Sequence, residues 1–207
     1  MVWDTLLLDW ARVLHDVSWR YAAKALAPIV GVEDKARMQQ AFFPELVERE
    51  RGALDASVFW RDVVTSYNLE PTTDTVSNFV EAYQQVAGGS YPEMLKLLRD
   101  FRRSYPTKTL AILSNGAPEI MEVAERSEER TLVDAAFYSC DMKVRKPQAE
   151  AFLYVMEQLQ TTPQQTLFVD DQLANVEAAQ QLGMHGFHFQ GLEDVKRLRE
   201  VFEALSG

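Results

Sequence analysis

TLFVDD, residues 166–171, is the stretch that decides the fold, because a short apolar run leads directly into two carboxylates. A second stretch of the same kind, TLLLD, occupies residues 5–9. Short continuous apolar runs are typical of strands buried on both faces of a parallel sheet. Ligands bind beyond the carboxyl ends of such strands. If the two strands are neighbours, Asp9, Asp170 and Asp171 meet at one point, where they need a proton or a cation.

Beyond residue 90, strand and helix patterns alternate along the chain. Strands are predicted at residues 4–9, 109–113, 135–138, 166–170 and 186–189. Helices are predicted at residues 92–103, 119–125, 148–159, 173–182 and 192–205. This alternation predicts an α/β protein with a Rossmann-like parallel sheet as its core and helices on both faces.

The segment from about residue 16 to 90 has a different pattern. Its apolar residues recur at helical spacing, and we find no convincing strand in it. Asp55 is expected to cap one of its helices and Pro71 to open another. The glycine-rich residues 88–90 look like a hinge. We therefore expect an α/β core formed by residues 1–15 and 91–207, with an inserted α-helical cap formed by residues 16–90.

Composition limits the classes of function. The formal net charge is −10 and no dense Lys/Arg cluster is present, which argues against a nucleic-acid partner. The single cysteine, Cys140, excludes an intramolecular disulfide and a metal site built from cysteines alone. No apolar run approaches the roughly 20 residues that span a bilayer, and the N-terminus lacks a signal-peptide pattern. We expect a cytoplasmic protein without a membrane partner, as a monomer or a homodimer.

Two further strand ends carry side chains that suit the same site. Ser114 and Asn115 follow the predicted strand 109–113, and Lys146 lies in a later loop. A carboxylate, a hydroxyl, an amide and a lysine together suit phosphoryl transfer. Asp9 can attack phosphorus in line and form an aspartyl-phosphate. A Mg²⁺ ion held by Asp9 and Asp171 would offset the repulsion between nucleophile and phosphate. Hydrogen bonds from Ser114 and Asn115, with the charge of Lys146, would stabilise the transferring oxygens.

Four motifs in order resemble the haloacid dehalogenase-like (HAD) hydrolase superfamily, and the resemblance extends over essentially the whole chain. They are LLDWARVL at residues 7–14, ILSNG at 112–116, VRKP at 144–147 with Phe152 behind it, and FVDDQLANVEAA at 168–179. The last is the strongest single match. Within the predicted cap, Glu50-Arg51-Gly52 followed by Phe59-Trp60 is similar to the branch related to the phosphatase domain of soluble epoxide hydrolases.

The resemblance implies roles for individual residues. Asp9 is the implied nucleophile, and Asp171 with the carbonyl of Ala11 is implied to hold Mg²⁺. Asn175 is implied to support the Asp170–Asp171 loop, and the helical insertion to be a mobile cap. The implied catalytic residues are Asp9, Ser114, Asn115 and Lys146, and the implied metal-binding residues are Asp9, Ala11, Asp170 and Asp171.

The sequence departs from the family pattern at Ala11. In the family's phosphatases the residue two positions after the nucleophile is usually Asp, which protonates the leaving oxygen and then activates water. The carbonyl of Ala11 can still bind metal, but its side chain cannot exchange a proton. General acid–base groups contribute about 10²–10⁴ in rate. We therefore predict slow or leaving-group-limited phosphatase activity on a small phosphorylated or other anionic metabolite.

Several neighbouring residues receive simpler interpretations. Arg12, where the family often has Gly, either narrows the pocket, selects anionic substrates or points to solvent. His15 is interpreted as an ordinary polar residue leading to the cap, and Asp16 as a helix cap. Cys140 is interpreted as a buried thiol. Five aromatic residues are interpreted as packing residues of the cap: Phe42, Phe43, Phe59, Trp60 and Tyr67.

Three other functions stay open. A 2-haloacid dehalogenase would tolerate Ala11, because halide leaves without a proton, although Asp170-Asp171 is more acidic than expected for that activity. A phosphonoacetaldehyde hydrolase is similar at Asp9-Trp10-Ala11 but would need a suitable cap lysine. A catalytically impaired protein of this fold would bind a ligand or partner instead.

Overall fold

The computed structural model describes residues 3–205, so residues 1–2 and 206–207 of the predicted core lie outside the described residues. The strands are β1 (Thr5–Leu8), β2 (His15–Val17), β3 (Ala87–Ser90), β4 (Thr109–Ser114), β5 (Ala135–Tyr138), β6 (Thr166–Asp170) and β7 (His185–His188). Five of them form a parallel sheet in the order β5-β4-β1-β6-β7, while β2 and β3 pair with each other.

Helices cover the sheet and form the long insertion after β2. They are α1 (Trp19–Val30), α2 (Lys35–Glu50), α3 (Ala56–Ser66), α4 (Thr73–Gln84), α5 (Pro92–Ser104), α6 (Pro118–Glu125), α7 (Ser139–Met142), α8 (Ala149–Leu159), α9 (Leu173–Gln181) and α10 (Val195–Leu205). Short 3₁₀ helices occupy Glu129–Leu132, Pro163–Gln165 and Leu192–Asp194, so the last predicted helix begins with a 3₁₀ turn. The predicted α/β fold is confirmed.

Strand β1 lies at the centre of the sheet and brings the distant carboxylates together. Leu8 is in register with Ile112 of β4 on one side and with Val169 of β6 on the other. Both neighbours are parallel to β1, so the three strands end at the same edge of the sheet. The Asp9 amide donates to the Val169 carbonyl at 2.9 Å, which extends the ladder up to the candidate site.

Both faces of the central strand are buried, which accounts for its unbroken apolar sequence. Leu6 and Leu8 pack into the larger apolar cluster, which continues into the helices of the insertion. Leu7 points to the opposite face and packs with Phe152 of α8 and Phe168 of β6. Successive side chains of a strand alternate between faces, so both layers of helices need an apolar residue from β1.

The antiparallel pair of β2 and β3 corrects the expectation that residues 16–90 contain no strand. Val17 is in register with Ala87, and the ladder is irregular between Asp16 and Val17. A three-residue strand and a glycine-rich strand lack the alternation that marks strands in a sequence, and they meet only because the fold joins the two ends of the insertion. The predicted hinge, residues 88–90, lies within β3, and the division into core and cap at residues 16 and 90 stays a prediction.

Helix starts in the insertion confirm one predicted cap and correct two other assignments. Asp55 accepts a hydrogen bond from the Ser57 amide at 2.8 Å and caps α3, as predicted. Ser18, not Asp16, caps α1, because the Asp16 carboxylate instead accepts from the Tyr21 hydroxyl at 2.5 Å. Thr72 caps α4, so the predicted opening of that helix by Pro71 is wrong. A hydroxyl closer to the helix satisfies the free amides in both cases.

The aromatic residues of the insertion form its interior, with one exception. Phe42, Phe59, Trp60 and Tyr67 are buried, and Phe42 meets Phe59 and Trp60 edge-on at ring-centroid distances of 5.8 and 5.6 Å. Phe43 is 49% exposed, so the prediction that it packs in the interior is wrong. It lies next to Phe42 on α2, and consecutive helical residues face different directions.

No helix among residues 3–205 combines the length and the hydropathy that a membrane crossing requires. The cytoplasmic location stays a prediction.

Candidate active site

Three carboxylates converge at the carboxyl ends of β1 and β6. Asp9 follows β1, Asp170 ends β6, and Asp171 comes next in the chain. One oxygen of each carboxylate lies within 4.8 Å of the others. Asp9 and Asp170 are buried and Asp171 is partly exposed. The structure therefore brings together the residues that the sequence placed 161 positions apart.

Lys146 supplies the positive charge inside this cluster. Its Nζ lies 3.0 Å from Asp9 Oδ1 and 2.6 Å from Asp170 Oδ2, and its side chain is 1% exposed. Asn115 fixes the backbone of this lysine, because its Nδ2 donates to the Lys146 carbonyl and its Oδ1 accepts from the Lys146 amide. In this structure Asn115 therefore positions Lys146 next to the carboxylates.

Asp170 is saturated by hydrogen-bond donors. Its Oδ1 accepts from the Gln172 amide at 2.7 Å, and Asn175 Nδ2 lies 3.0 Å from both of its oxygens. Together with Lys146, these donors use most of the acceptor capacity of a carboxylate. Asp9 and Asp171 are therefore better available as ligands than Asp170. Asn175 holds the loop through Asp170, the arrangement that the family resemblance implies.

Burial and charge set the proton affinities at the site. Burial raises the pKa of Asp9 to about 7, even though the nearby Lys146 lowers it. Burial by itself lowers the pKa of Lys146, but Asp9 and Asp170 outweigh that effect and raise it. Burial also raises the pKa of Asp171, with Arg12 opposing the shift. Lys146 therefore keeps its charge, while Asp9 takes up a proton more readily than an exposed carboxyl group.

Ser114 lies at the end of β4 with an unusual hydroxyl. Its Oγ is fully buried and has no hydrogen-bond partner among the described residues. Buried polar groups are nearly always hydrogen-bonded, so an oxygen of a bound molecule is the natural partner for this hydroxyl. A phosphate oxygen held by Ser114 would satisfy it.

Ala11 and Arg12 occupy the loop that leaves Asp9. Ala11 forms an isolated β-bridge with His15, and its methyl group offers no proton. Arg12 has φ of 63°, a left-handed conformation that costs a residue with a side chain about 1–2 kcal/mol. Its Nη1 lies 3.2 Å from Asp171 Oδ2 while the side chain stays 66% exposed. Arg12 is thus largely exposed, as the solvent interpretation expects, and its guanidinium is also paired with Asp171.

A buried glutamate that the sequence gave no reason to single out lies directly under this loop. Glu129 is fully buried and accepts from Trp10 Nε1 at 2.9 Å and from the Ser90 hydroxyl at 2.5 Å. His15 Nδ1 lies 2.7 Å from the same carboxylate, and the His15 ring stacks on Trp10 at 4.4 Å. Burial raises the pKa of Glu129, but the hydrogen bonds from His15 and Ser90 outweigh it and lower the pKa.

His15 is therefore not the ordinary polar loop residue that we expected. It is 6% exposed and belongs to β2. Glu129 stands in a charged run, SEERT, which reads as solvent-exposed. Its partners are separated from it by as many as 119 residues, so no local pattern marks it.

A second buried group joins α2 and α3 to the sheet side of the molecule. Arg49 Nη2 lies 2.6 Å from Glu119 Oε1, and Trp60 Nε1 donates to the same oxygen at 2.9 Å. Nearby, Arg145 Nη2 lies 2.8 Å from Glu50 Oε2. Neither ion pair was predicted, because each joins segments at least 70 residues apart.

Cys140 is buried, as predicted, and burial raises the pKa of its thiol to about 11. A thiol with so high a pKa is a poor nucleophile at neutral pH, because the thiolate is the reactive form. Cys140 therefore plays no part in the candidate chemistry.

The donor set at the candidate site fits a hard divalent cation. Asp9 and Asp171 offer carboxylate oxygens within 4.8 Å of each other, and Ala11 lies in the loop that follows Asp9. Mg²⁺ prefers oxygen ligands and is held in many proteins by one or two carboxylates. Three clustered carboxylates with one lysine also leave net negative charge, which a cation would neutralise.

Residues 4–183 match the sequence profile of haloacid dehalogenase-like hydrolases. The chain belongs to this family. The HAD-like hydrolase is 33% identical over 128 residues to the sesquiterpene phosphatase astK of Aspergillus oryzae. This match covers 60% of this chain and 65% of astK. It is 27% identical over 200 residues to the drimenol cyclase drtB of Aspergillus calidoustus, 95% of this chain and 36% of drtB. It therefore spans less than two thirds of the length of either relative.

Other relatives of the HAD-like hydrolase differ in their named activity. It is 32% identical over 116 residues to an (S)-2-haloacid dehalogenase of Xanthobacter autotrophicus, 56% of this chain and 44% of that enzyme. Among solved structures, a HAD-family enzyme of Bacteroides thetaiotaomicron crystallised with magnesium superposes with a TM-score of 0.81 at 20% identity. That match covers 96% of this chain and 99% of the other. This likeness establishes the fold.

Proposed function

We propose that this HAD-like hydrolase is a Mg²⁺-dependent phosphatase of a small phosphorylated metabolite, acting through an aspartyl-phosphate on Asp9. The observation that carries the proposal is the buried pairing of Lys146 with Asp9 and Asp170, beside the more accessible Asp171. Two comparisons support it. One relative is named a sesquiterpene phosphatase, and one solved neighbour was crystallised with magnesium and inorganic phosphate.

The first step would be attack of the Asp9 carboxylate on phosphorus. An Asp9–phosphorus bond forms, the bond to the ester oxygen breaks, and that oxygen leaves with the electron pair. Asp9 and Asp171 with the carbonyl of Ala11 would hold Mg²⁺, which when bound lowers the repulsion between the two anions. Lys146 holds Asp9 in place and stays charged, and the Ser114 hydroxyl donates to a transferring oxygen.

Ala11 affects both steps because its side chain has no group that can donate or accept a proton. The departing oxygen has to take its proton from solvent, because position 11 carries no acid. In the second step water attacks phosphorus, the Asp9–phosphorus bond breaks and phosphate leaves, again without a base at position 11. Phosphate esters whose leaving alcohol forms a stable anion do not need protonation by an acid, so they should react fastest.

The test is a panel of phosphate esters with and without Mg²⁺. We expect p-nitrophenyl phosphate to react faster than alkyl phosphates, Asp9→Asn to abolish turnover, and beryllium fluoride to inhibit by trapping Asp9. Asp62→Asn is the matched control, since Asp62 is an exposed carboxylate on α3 paired only with its neighbour Arg61 among the described residues. Turnover that survives in Asp9→Asn would contradict the proposal. A phosphorylated sesquiterpene belongs in the panel because of the name of astK.

A 2-haloacid dehalogenase is the second candidate. Ala11 favours it, because halide leaves without a proton, and one relative bears that name. Metal-independent release of halide from a 2-haloacid would support it over a phosphatase. Intact Mg²⁺ binding without turnover of any substrate would instead support a protein that binds a ligand or partner.

A further inference from the structure

A cavity of about 390 Å³ lies beside Asp171. Arg12, Tyr91 and His188 line it together with Asp171 and residues 189–191. The cavity shares Asp171 with the candidate metal cluster, so it adjoins the place where the proposed function puts the phosphate. None of the roles assigned above uses this space.

The guanidinium of Arg12 supplies the permanent positive charge of this cavity. Its one ion pair among the described residues is with Asp171 at 3.2 Å, and 66% of its side chain is exposed. An arginine has five N–H donors in a planar fork, so several stay available. A cation held by Asp171 would share that carboxylate with Arg12 and free more of the guanidinium for an anion.

The other polar groups of the cavity have partners of their own. His188 Nε2 lies 3.0 Å from the Asp171 carbonyl oxygen, and the Tyr91 hydroxyl lies 3.5 Å from Asp16 Oδ1. Asp171 and, behind Tyr91, Asp16 are the carboxylates that face this region. The hydrogen-bond donors that stay available for an anion in this cavity are therefore those of Arg12.

The backbone supports a functional reason for this arginine. Arg12 holds φ of 63°, a conformation that glycine adopts without strain. Strained backbone positions cluster at binding and catalytic sites, where the function of the side chain compensates for the energetic cost of the strain. An arginine in place of the easier residue, directed at a metal-binding carboxylate, is such a position.

We propose that Arg12 and this cavity form a subsite for a second anionic group of the substrate, such as a carboxylate or a second phosphate. The proposal rests on the proposed phosphatase function for the location of the first phosphate. It makes Arg12 a specificity-determining residue: phosphate esters with a second negative charge bind more tightly than esters of the same size without one. A guanidinium recognises carboxylate and phosphate by paired hydrogen bonds.

The test compares two ligands that cannot be hydrolysed, 3-phosphonopropionate and propylphosphonate, by calorimetry with Mg²⁺ present. We expect wild type to bind 3-phosphonopropionate about tenfold more tightly, because one charge-assisted pair is gained. Arg12→Gly should remove this preference and keep the affinity for propylphosphonate. Arg12→Asn should behave like Arg12→Gly, since asparagine tolerates the left-handed conformation and carries no charge. Arg61→Asn, an exposed arginine on α3, is the control and should keep the preference.

A second measurement follows Mg²⁺ itself. Arg12→Gly should bind Mg²⁺ at least twofold more tightly than wild type, since Asp171 loses a competing cation. Its thermal unfolding temperature should not fall, because glycine relieves the strained backbone. An unchanged ligand preference in Arg12→Gly, or binding of neither phosphonate, would overturn the subsite.

The result separates the subsite from the phosphatase function. A preference that depends on Arg12 in a protein without turnover would support the subsite and contradict the phosphatase. Turnover that depends on Asp9, without a preference for the ligand with two negative groups, would support the phosphatase and contradict the subsite. In steady-state assays the subsite predicts that Arg12→Gly raises KM for phosphoglycolate and not for ethyl phosphate, with kcat less affected.

Discussion

Under the proposed function, Ala11 is the residue that limits the rate of turnover. In that proposal Asp9, Lys146 and Asp171 supply a nucleophile, a fixed charge and a metal ligand. Position 11, where the family's phosphatases usually carry Asp, has a methyl group. We therefore expect the residue at position 11 to determine how fast the proposed reaction runs.

Restoring the acid should accelerate the reaction. We expect Ala11→Asp to raise kcat for alkyl phosphates by about 10²–10⁴, the usual contribution of a general acid–base group. The gain for p-nitrophenyl phosphate should be smaller, because its leaving oxygen needs no proton. Ala11→Asn matches the size and polarity of Asp without the acid and should give no gain. Equal rates in the Asp and Asn variants would contradict the prediction.

The pKa of Asp9 should govern metal binding. Burial raises it to about 7, and the pKa of Asp171 is raised as well. A carboxyl group has to lose its proton to bind metal, so Mg²⁺ affinity should rise as the pH increases through about 7. Below that pH the affinity should fall by up to tenfold per unit. Calorimetry between pH 6 and pH 8 measures this, and a flat profile would contradict it.

The ribbon formed by β2 and β3 is the element that connects the insertion to the sheet. His15 on β2 and Ser90 on β3 both contact Glu129, and Trp10, the residue after Asp9, contacts it as well. One buried carboxylate thus holds both ends of the insertion and the loop that follows Asp9. A shift of the ribbon would therefore also move the loop that follows Asp9.

Loss of this carboxylate should destabilise the fold. We expect Glu129→Gln to lower the free energy of unfolding by about 1–3 kcal/mol, because the amide group turns one acceptor into a donor facing other donors. Urea denaturation measures the change. Glu128→Gln is the matched control, since Glu128 is an exposed neighbour paired with Arg99. Exposed pairs contribute about 0–1 kcal/mol, and an equal loss in both variants would contradict a special role for Glu129.

The complete fold brings the helical insertion and the sheet together through buried charges. Glu119 on α6 contacts Arg49 on α2 and Trp60 on α3, and Glu50 contacts Arg145. We propose that residues 16–90 form a cap over the site and that these contacts hold it closed. The cap boundaries and its mobility stay predictions.

Removing one partner of the buried pair should loosen the cap. We expect Glu119→Gln to cost about 3 kcal/mol of stability, because the Arg49 charge is left without its partner. Amide hydrogen exchange in α2 and α3 should rise more than exchange in the sheet. Glu122→Gln changes an exposed glutamate of the same helix and should leave exchange as in wild type. A uniform rise across the molecule would argue against a separately opening cap.

Much of this protein was accessible from the chain alone. The apolar runs before Asp9 and Asp170 predicted adjacent parallel strands, and the polar residues after them predicted a common site. These inferences succeed because a buried strand leaves a local pattern and because parallel strands end at one edge of the sheet. The alternation after residue 90 predicted the α/β class for the same reason.

The sequence by itself therefore determined the fold class, the strands that carry the candidate residues and the family. Only the tertiary structure decided that Asn115 holds Lys146, that Arg12 pairs with Asp171 and that Glu129 supports the loop after Asp9. Strand and helix patterns come from repeats over a few residues, whereas these contacts join side chains 31 to 159 positions apart. Which distant polar groups meet depends on how the packed elements align, and no periodicity in the chain records it.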